Sequence, residues 1–282
     1  MIRISFCIAA ICGAAASAKT IDVLPLWDFD RPAVSEERFR AALNTAVGDD
    51  VLILQTQIAR TYVFRKDFAR AREILQGIQP KVEGAGPEAQ IRYWLELGRT
   101  YVSHQHPLEL QTAEAKQLAR TAFDKALQLA RRAHLDGLAI DAIHMFAFVD
   151  TAPADQLKRG LEALAIAQTS DQAPAKRWEA SVRNNLGEAL FELGRYDEAL
   201  EQFKRALAIY EQGSNVRWIR DAHWQVGRVL RVLKRTDEAL AIQLRLERES
   251  AGVPETYVFE ELELLYRAQG NEERAKHYAE RN

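Results

Sequence analysis

The amino-acid sequence predicts an all-α protein assembled from repeated pairs of helices. Alanine, leucine, arginine and glutamate dominate its 282 residues, and only 8 are proline, a mixture that favours helices. Apolar residues recur at intervals of three and four, which places them on one face of a helix. One pattern returns after 40 residues, since Gly227 and Ala239 follow Gly187 and Ala199 at that distance. The chain is therefore expected to be an array of similar helical units.

The clearest unit spans residues 181–211, which are predicted to form two helices joined by a short turn. Gly194 stands at the end of the first helix, where glycine adopts the left-handed cap conformation without steric cost. Gly187 lies inside that helix, where glycine costs about 1 kcal/mol relative to alanine. We therefore expect a neighbouring helix to approach Gly187 so closely that no side chain fits there. The apolar stripe of the second helix comprises Ala199, Phe203 and Ala206.

Six residues of this unit resemble the tetratricopeptide repeat in their order and spacing: Leu186, Gly187, Leu190, Ala199, Phe203 and Ala206. The resemblance implies that residues 49–282 form a right-handed superhelical solenoid of about six helix-turn-helix repeats. The units at residues 135–169 and 254–281 follow the pattern least closely. The resemblance implies a fold and does not identify a ligand.

Residues 1–18 have the features of a secretory signal peptide. Arg3 precedes an apolar run, and Ala16-Ser17-Ala18 supplies the small residues that predict cleavage after Ala18. The alternatives are a buried helix or a membrane anchor, although the run is shorter than the roughly 20 residues that a spanning helix needs. Both cysteines fall in this segment, so the mature chain would contain no thiol. We therefore expect a periplasmic or secreted bacterial protein.

Residues 19–48 are predicted to form a lead-in followed by a capping helix. Ser35 is suited to cap the start of that helix, because acidic residues follow it in the first turn. Trp27 and Phe29 are expected to cover the apolar end of the first repeat; in the alternative interpretation they strap across a groove. The stretch LWDFDRPAVSEERFRAAL also resembles the opening of certain bacterial tetratricopeptide proteins.

Composition and motifs argue against nucleic-acid binding and catalysis. The net charge of −2, which becomes −3 after loss of residues 1–18, lacks the basic excess typical of nucleic-acid binders. The sequence contains no HExxH zinc helix, no phosphate-binding GxxxxGK(S/T) loop and no GxSxG nucleophile elbow. His104 and His106 would suit a weak Zn or Cu site, but a solvated loop is the commoner use of such residues. We expect no enzyme activity, no metal and no cofactor.

The predicted binding surface is the concave face that the first helices of the repeats line. Side chains there that packing does not require are candidates to contact a partner. Arginine forms paired hydrogen bonds with carboxylates, and arginine and tryptophan often dominate the energetics of interfaces. The candidates for this groove are Arg60, Arg99, Asn184, Glu188, Trp224, Arg228 and Arg231.

These residues suggest a groove for an extended or helical peptide of acidic character. Asn184 and Arg228 would contact the peptide backbone or a carboxylate, and Trp224 would be an apolar anchor. In the alternative interpretation the arginines pair with neighbouring glutamates, and Trp224 belongs to the core.

Three functions fit these observations. The first is a protein-interaction scaffold or adaptor of the bacterial cell envelope, which holds a peptide or protein partner in the groove. The second is an envelope enzyme or small-molecule-binding subunit whose pocket is closed by an insertion at residues 103–112. The third is self-association, in which the groove or an end cap packs against a second copy of the chain.

Overall fold

The computed structural model describes residues 20–250 and 255–281. The predicted signal peptide lies outside the described residues. Within the described ranges there are fourteen α-helices and no strands. The helices are α1 (Pro32–Leu43), α2 (Asp49–Phe64), α3 (Phe68–Val82), α4 (Pro87–Tyr101), α5 (Ala113–Arg132), α6 (Asp136–Met145), α7 (Pro153–Thr169), α8 (Ala173–Lys176), α9 (Glu179–Glu192), α10 (Tyr196–Tyr210), α11 (Val216–Val232), α12 (Thr236–Glu249), α13 (Thr256–Ala268) and α14 (Glu272–Ala279).

The helices form six consecutive pairs, which confirms the predicted helical solenoid. The pairs are α2/α3, α4/α5, α6/α7, α9/α10, α11/α12 and α13/α14. The second helix of a pair packs on the first helix of the next, as α3 does on α4 and α10 does on α11. Helix α1 packs on α2 ahead of the first pair, and the short α8 is an additional turn between the third and fourth pairs. No helix in the described ranges is long and apolar enough to cross a membrane.

The hydrophobic core follows the stack between its two layers of helices. Its largest fully buried side chains include one phenylalanine from each of four elements, namely Phe39, Phe123, Phe146 and Phe203. Gly187 lies against the last of these, since a Cβ atom added to it would stand 2.7 Å from Phe203 Cε1. The structure therefore confirms that Gly187 permits a close approach between two helices.

The turns inside the first, fourth, fifth and sixth pairs share one backbone geometry. Gly194, at the turn of the fourth pair, has a φ of 73°, which confirms the predicted left-handed cap. The next amide, that of Arg195, donates to the carbonyl oxygen of Leu190 at 2.9 Å, as in a Schellman motif. Lys66 and Lys234 occupy the corresponding positions of the first and fifth pairs with φ values of 62° and 61°.

Replacement of Lys234 by glycine is expected to raise the free energy of unfolding by roughly 0.5–1 kcal/mol. A residue with a Cβ atom is strained at a positive φ, and glycine is not. Urea denaturation of the variant beside Gly194→Ala, which should change stability in the opposite direction, checks this. Equal stability of Lys234→Gly and the parent chain would contradict the expectation.

Ser35 does not cap α1, which begins three residues earlier, at Pro32. Its hydroxyl instead accepts a hydrogen bond from the amide of Asp28 at 2.7 Å and donates one to the carbonyl oxygen of Asp28 at 3.0 Å. The prediction that Ser35 is an N-cap was therefore wrong. The serine fixes the turn by which the lead-in enters α1.

Candidate binding groove

The first helices of the pairs form the inner layer of the solenoid. Helix α2 packs on α4, α4 on α6, and α11 on α13. Polar side chains also join these helices across repeats: Arg99 of α4 pairs with Asp141 of α6, and Arg228 of α11 pairs with Glu188 of α9. We call this inner surface the concave wall.

A nearly buried ion network lies in the first half of the concave wall. Arg99 Nη1 donates to Glu96 Oε1 at 2.6 Å, and Arg99 Nη2 donates to Asp141 Oδ1. Arg60 Nη1 stands 3.8 Å from the same oxygen of Glu96. Burial alone would raise the pKa of Asp141, but the guanidinium groups of Arg99 and Arg60 outweigh it and hold that pKa below its usual value. The network contains two cations and two anions, so its charges balance.

Seven rings touch in sequence along the wall, and we call them the aromatic row. The members are Trp27, Phe29, Phe64, His104, Phe148, His144 and Trp178. Consecutive ring centroids lie between 4.8 Å, for Trp27 and Phe29, and 6.3 Å, for His104 and Phe148. Every member except Trp27 is partly or largely exposed. The row therefore offers an apolar surface that extends from the lead-in to the start of α9.

Arg60 joins the ion network to the aromatic row. Its guanidinium carbon lies 5.4 Å from the ring centre of Trp27 and 5.8 Å from that of Phe64, within the range of cation–π attraction. Arg60 Nε and Glu96 Oε2 are buried and have no hydrogen-bond partner among the described residues. One hydrogen-bond donor and one hydrogen-bond acceptor of the concave wall are thus unpaired at the end of the aromatic row.

The lead-in runs along the inner face of α2 as a strap, which we define as residues 20–31. The amide of Ile21 donates to Asp50 Oδ1 at 2.9 Å, at the first turn of α2. Trp27 Nε1 donates to Gln57 Oε1 at 3.0 Å, and the Trp27 ring contacts Phe64 in the last turn. Trp27 also packs on Phe39 of α1. The contacts of Trp27 and Phe29 are thus with α1 and α2, which fits the interpretation that these rings cover the first repeat.

His144 lies between Phe148 and Trp178 in the aromatic row and connects α6 to α9. Its Nδ1 atom lies within hydrogen-bond distance of the Asn185 side-chain amide, 2.9 Å from Nδ2. Burial lowers the pKa of His144, the nearby Asp141 carboxylate raises it, and the charges of Arg99, His104 and Arg60 lower it further. The balance is a pKa below the usual value, so the neutral imidazole is the form that the fold prefers.

Folding stability is expected to fall as the pH drops below about 6.5, because an unfolded histidine binds a proton with a pKa near 6.5 and folded His144, whose pKa is lower, resists it. The contribution of His144 to stability is therefore complete above the unfolded pKa and is lost as the pH falls toward the folded one. Replacement of His144 by glutamine should reduce the slope of the unfolding free energy against pH by up to about 1.4 kcal/mol per pH unit. Urea denaturation at several pH values measures the slope, with exposed His277→Gln as the control. An unchanged slope in His144→Gln would contradict this assignment.

The two histidines of the insertion have separate surroundings. His106 stacks on Phe68 with 3.6 Å between ring centres, and its two nitrogens lie 3.0 Å from Ser103 Oγ and 3.2 Å from the carbonyl oxygen of Thr100. His104 belongs to the aromatic row instead. The described residues contain no group of three or more His, Cys, Asp or Glu side chains placed to hold a metal.

A second cluster lies in the C-terminal half of the wall. Arg228 Nη2 donates to Glu188 Oε2 at 2.8 Å, and its guanidinium carbon stands 3.9 Å from the ring centre of Phe191 and 5.2 Å from that of Trp224. Trp224 Nε1 donates to the carbonyl oxygen of Tyr257 at 3.1 Å. The predicted anchor Trp224 is thus tied to the next repeat and remains half-buried.

The predicted groove residues fall into two groups. Arg60 and Arg99 meet in the ion network, whereas Glu188, Trp224 and Arg228 meet in the second cluster. Arg231 continues that cluster through two hydrogen bonds to Glu261, of 2.7 and 2.9 Å, and Asn184 is half-exposed on α9. Each of these four arginines lies beside a carboxylate of the chain itself, so the arginine excess that suggested an acidic peptide is balanced internally.

Sequence reasoning missed most of the aromatic row. Phe64 ends α2, His104 follows α4, and Phe148 follows α6, so each lies at or just after the end of the first helix of a pair. That recurrence across three repeats was the available signal. The rings become neighbours only once the repeats stack.

Residues 157–212 match the tetratricopeptide repeat family. This match covers the pair α9/α10 and most of α7, and it supports the assignment of the repeats to the tetratricopeptide superfamily. No curated protein matches the chain.

Two solved structures share the fold at low sequence identity. One is a signal-transduction ATPase of the STAND class with a tetratricopeptide repeat sensor, from Pyrococcus horikoshii; it is 14% identical, with a TM-score of 0.65 over 88% of this chain and 38% of that one. The other is the apo form of RapI, which is 15% identical, with a TM-score of 0.64 over 89% of this chain and 69% of that one. This chain therefore spans little more than a third of the ATPase. At such identities the likeness shows the helical fold alone.

Proposed function

We propose that this protein is a non-enzymatic adaptor of the bacterial cell envelope that binds a segment of a protein partner along its concave wall. The aromatic row is the observation that carries the proposal. Aromatic side chains supply large contact areas at a low cost in conformational entropy, and they are enriched among the residues that dominate binding energy. A continuous and partly exposed set of them on the inner face of a solenoid is suited to contact another molecule.

The extent of the row favours a polypeptide over a compact ligand. Its members come from the strap, from the first three pairs and from the link before α9, so a ligand that touched all of them would have to be elongated. The ion network beneath the row carries no excess charge, so binding would depend on apolar and aromatic side chains of the partner. An extended segment with spaced aromatic residues fits such a surface.

The envelope location rests on the sequence of residues 1–18. Export would give a mature chain that begins at Lys19 and lacks cysteine. Intact-mass measurement of the protein from a periplasmic fraction is expected to show loss of residues 1–18. Recovery of the full-length chain from the cytoplasm alone would contradict this part of the proposal.

Site-specific photo-crosslinking in cells tests the binding surface. A photoreactive phenylalanine analogue at Phe148, in the aromatic row, should give a discrete product with one other protein. The same analogue at Leu161, which is 54% exposed on the second helix of its pair, is the matched control and should give none. Equal products from both positions, or none from Phe148, would contradict the proposal. A product of twice the chain mass would instead indicate self-association.

A further inference from the structure

The strap already lies on the concave wall in the manner of a bound peptide. It approaches α2 through one backbone amide, that of Ile21, and through one buried ring, that of Trp27. The ring occupies a space between Gln57, Arg60 and Phe64 of α2 and Phe39 of α1, which we call the Gln57 slot. The strap is thus a segment of the chain itself that binds to the concave wall.

The Gln57 slot selects an aromatic ring that carries a hydrogen-bond donor. Gln57 is fully buried, and its side-chain oxygen accepts the indole N–H of Trp27 at 3.0 Å. A ring without a donor would leave that oxygen buried and unpaired, which is unfavourable. Phe29 stacks on Trp27 at 4.8 Å with an angle of 2° between the planes, and its ring centre lies 5.8 Å from that of Phe64. The strap therefore places two rings, two residues apart, beside the end of α2.

The strap fills this part of the wall incompletely. Trp27 and Val23 are buried, whereas Leu24 and Phe29 remain 45% and 46% exposed. The donor at Arg60 Nε and the acceptor at Glu96 Oε2 stay unpaired while the strap is in place. Two buried side chains hold the strap, together with its hydrogen bonds to Glu88, Asp50, Gln57 and Ser35. These contacts must offset the cost of ordering twelve residues. These features are expected of an occupant that another segment can replace.

We propose that the strap is exchangeable, and that the partner segment bound by this protein carries a tryptophan followed two residues later by a second aromatic residue. This inference rests on the proposed function and specifies its ligand. The partner tryptophan takes the place of Trp27 in the Gln57 slot and donates to Gln57. Its second ring takes the place of Phe29 beside Phe64, where the rest of the aromatic row continues.

A peptide with the sequence of the strap, TIDVLPLWDFDR, labelled with a fluorophore, tests the exchange by fluorescence anisotropy on the full mature chain. Phe29→Ala weakens the hold of the chain's own strap, which competes with the added peptide for the slot. This variant should therefore bind the peptide at least tenfold more tightly than the parent chain. Leu24→Ala removes an equally exposed side chain outside the ring cluster and should bind it like the parent chain. A peptide with alanine in place of its tryptophan should not bind. Thermal melting verifies that both variants are folded.

Equal affinity of the three chains for the peptide would overturn the proposal, and so would binding that does not depend on the peptide tryptophan. Dimerisation of Phe29→Ala in sedimentation experiments would assign the slot to a second copy of the chain and would also overturn it. None of these three outcomes bears on the crosslinking at Phe148. Failure of strap exchange is therefore distinguishable from failure of the proposed adaptor function.

Discussion

Replacement of Asp141 by alanine is expected to lower the free energy of unfolding by about 3–5 kcal/mol, the usual result of breaking a buried ion pair by removing one partner. The Arg99 residue is only 4% exposed, and Asp141 supplies one of its two carboxylate partners. Without Asp141, the Arg99 charge would remain buried beside Arg60 with a single anion, Glu96, between them. The contacts between α2, α4 and α6 would weaken together.

Urea denaturation of the protein measures this loss. Glu198→Ala is the control, because it removes an ion pair with Arg195 in which both side chains are about half-exposed, and such pairs contribute little. Its unfolding midpoint should equal that of the parent chain. If Asp141→Ala were as stable as Glu198→Ala, the ion network would not be a structural element of the wall.

Replacement of Gly187 by leucine is expected to cost about 2–3 kcal/mol, since extra volume in a packed interior forces side chains and backbone apart. A Cβ atom at this position would already stand 2.7 Å from both Cε1 and Cζ of Phe203. Phe203 is fully buried and cannot move into solvent without loss of its own packing. The helices α9 and α10 would have to separate.

Gly77 provides a matched comparison for the same substitution. It lies inside α3, and apart from the neighbouring backbone of its own helix no heavy atom of the described residues stands within 4 Å of an added Cβ. Gly77→Leu should therefore raise stability by roughly 0.5–0.8 kcal/mol through helix propensity alone. Thermal melting of the two variants should show shifts of opposite sign. Shifts of the same sign would contradict the close-packing role of Gly187.

The fold was predictable because its determinants are local and repeated. Gly187 lies inside a helix and Gly194 at its end, and both positions follow from the conformational properties of glycine. The spacing of apolar residues then identifies six pairs without knowledge of their stacking. Lys66 and Lys234 were harder to recognise as caps, because lysine gives no sign that its backbone adopts a positive φ.

The site was less predictable, because its contacts join residues that lie far apart in the sequence. Arg99 was recognised as a residue of the concave wall, but its pairing with Asp141 depends on the register between α4 and α6. The ring of Trp178 meets His144 because α8 adds a turn between the third and fourth pairs. Neither the neutralised arginines nor the continuous row of rings can be read from one repeat alone.

Selection of peptides from a displayed random library against this protein tests most directly whether the aromatic row binds a partner. Enriched peptides are expected to be rich in aromatic residues and to lose binding to the double variant Phe148→Ala/Trp178→Ala, while they still bind Leu161→Ala. Peptides that bind the double variant as tightly as the parent chain would contradict a function based on the aromatic row.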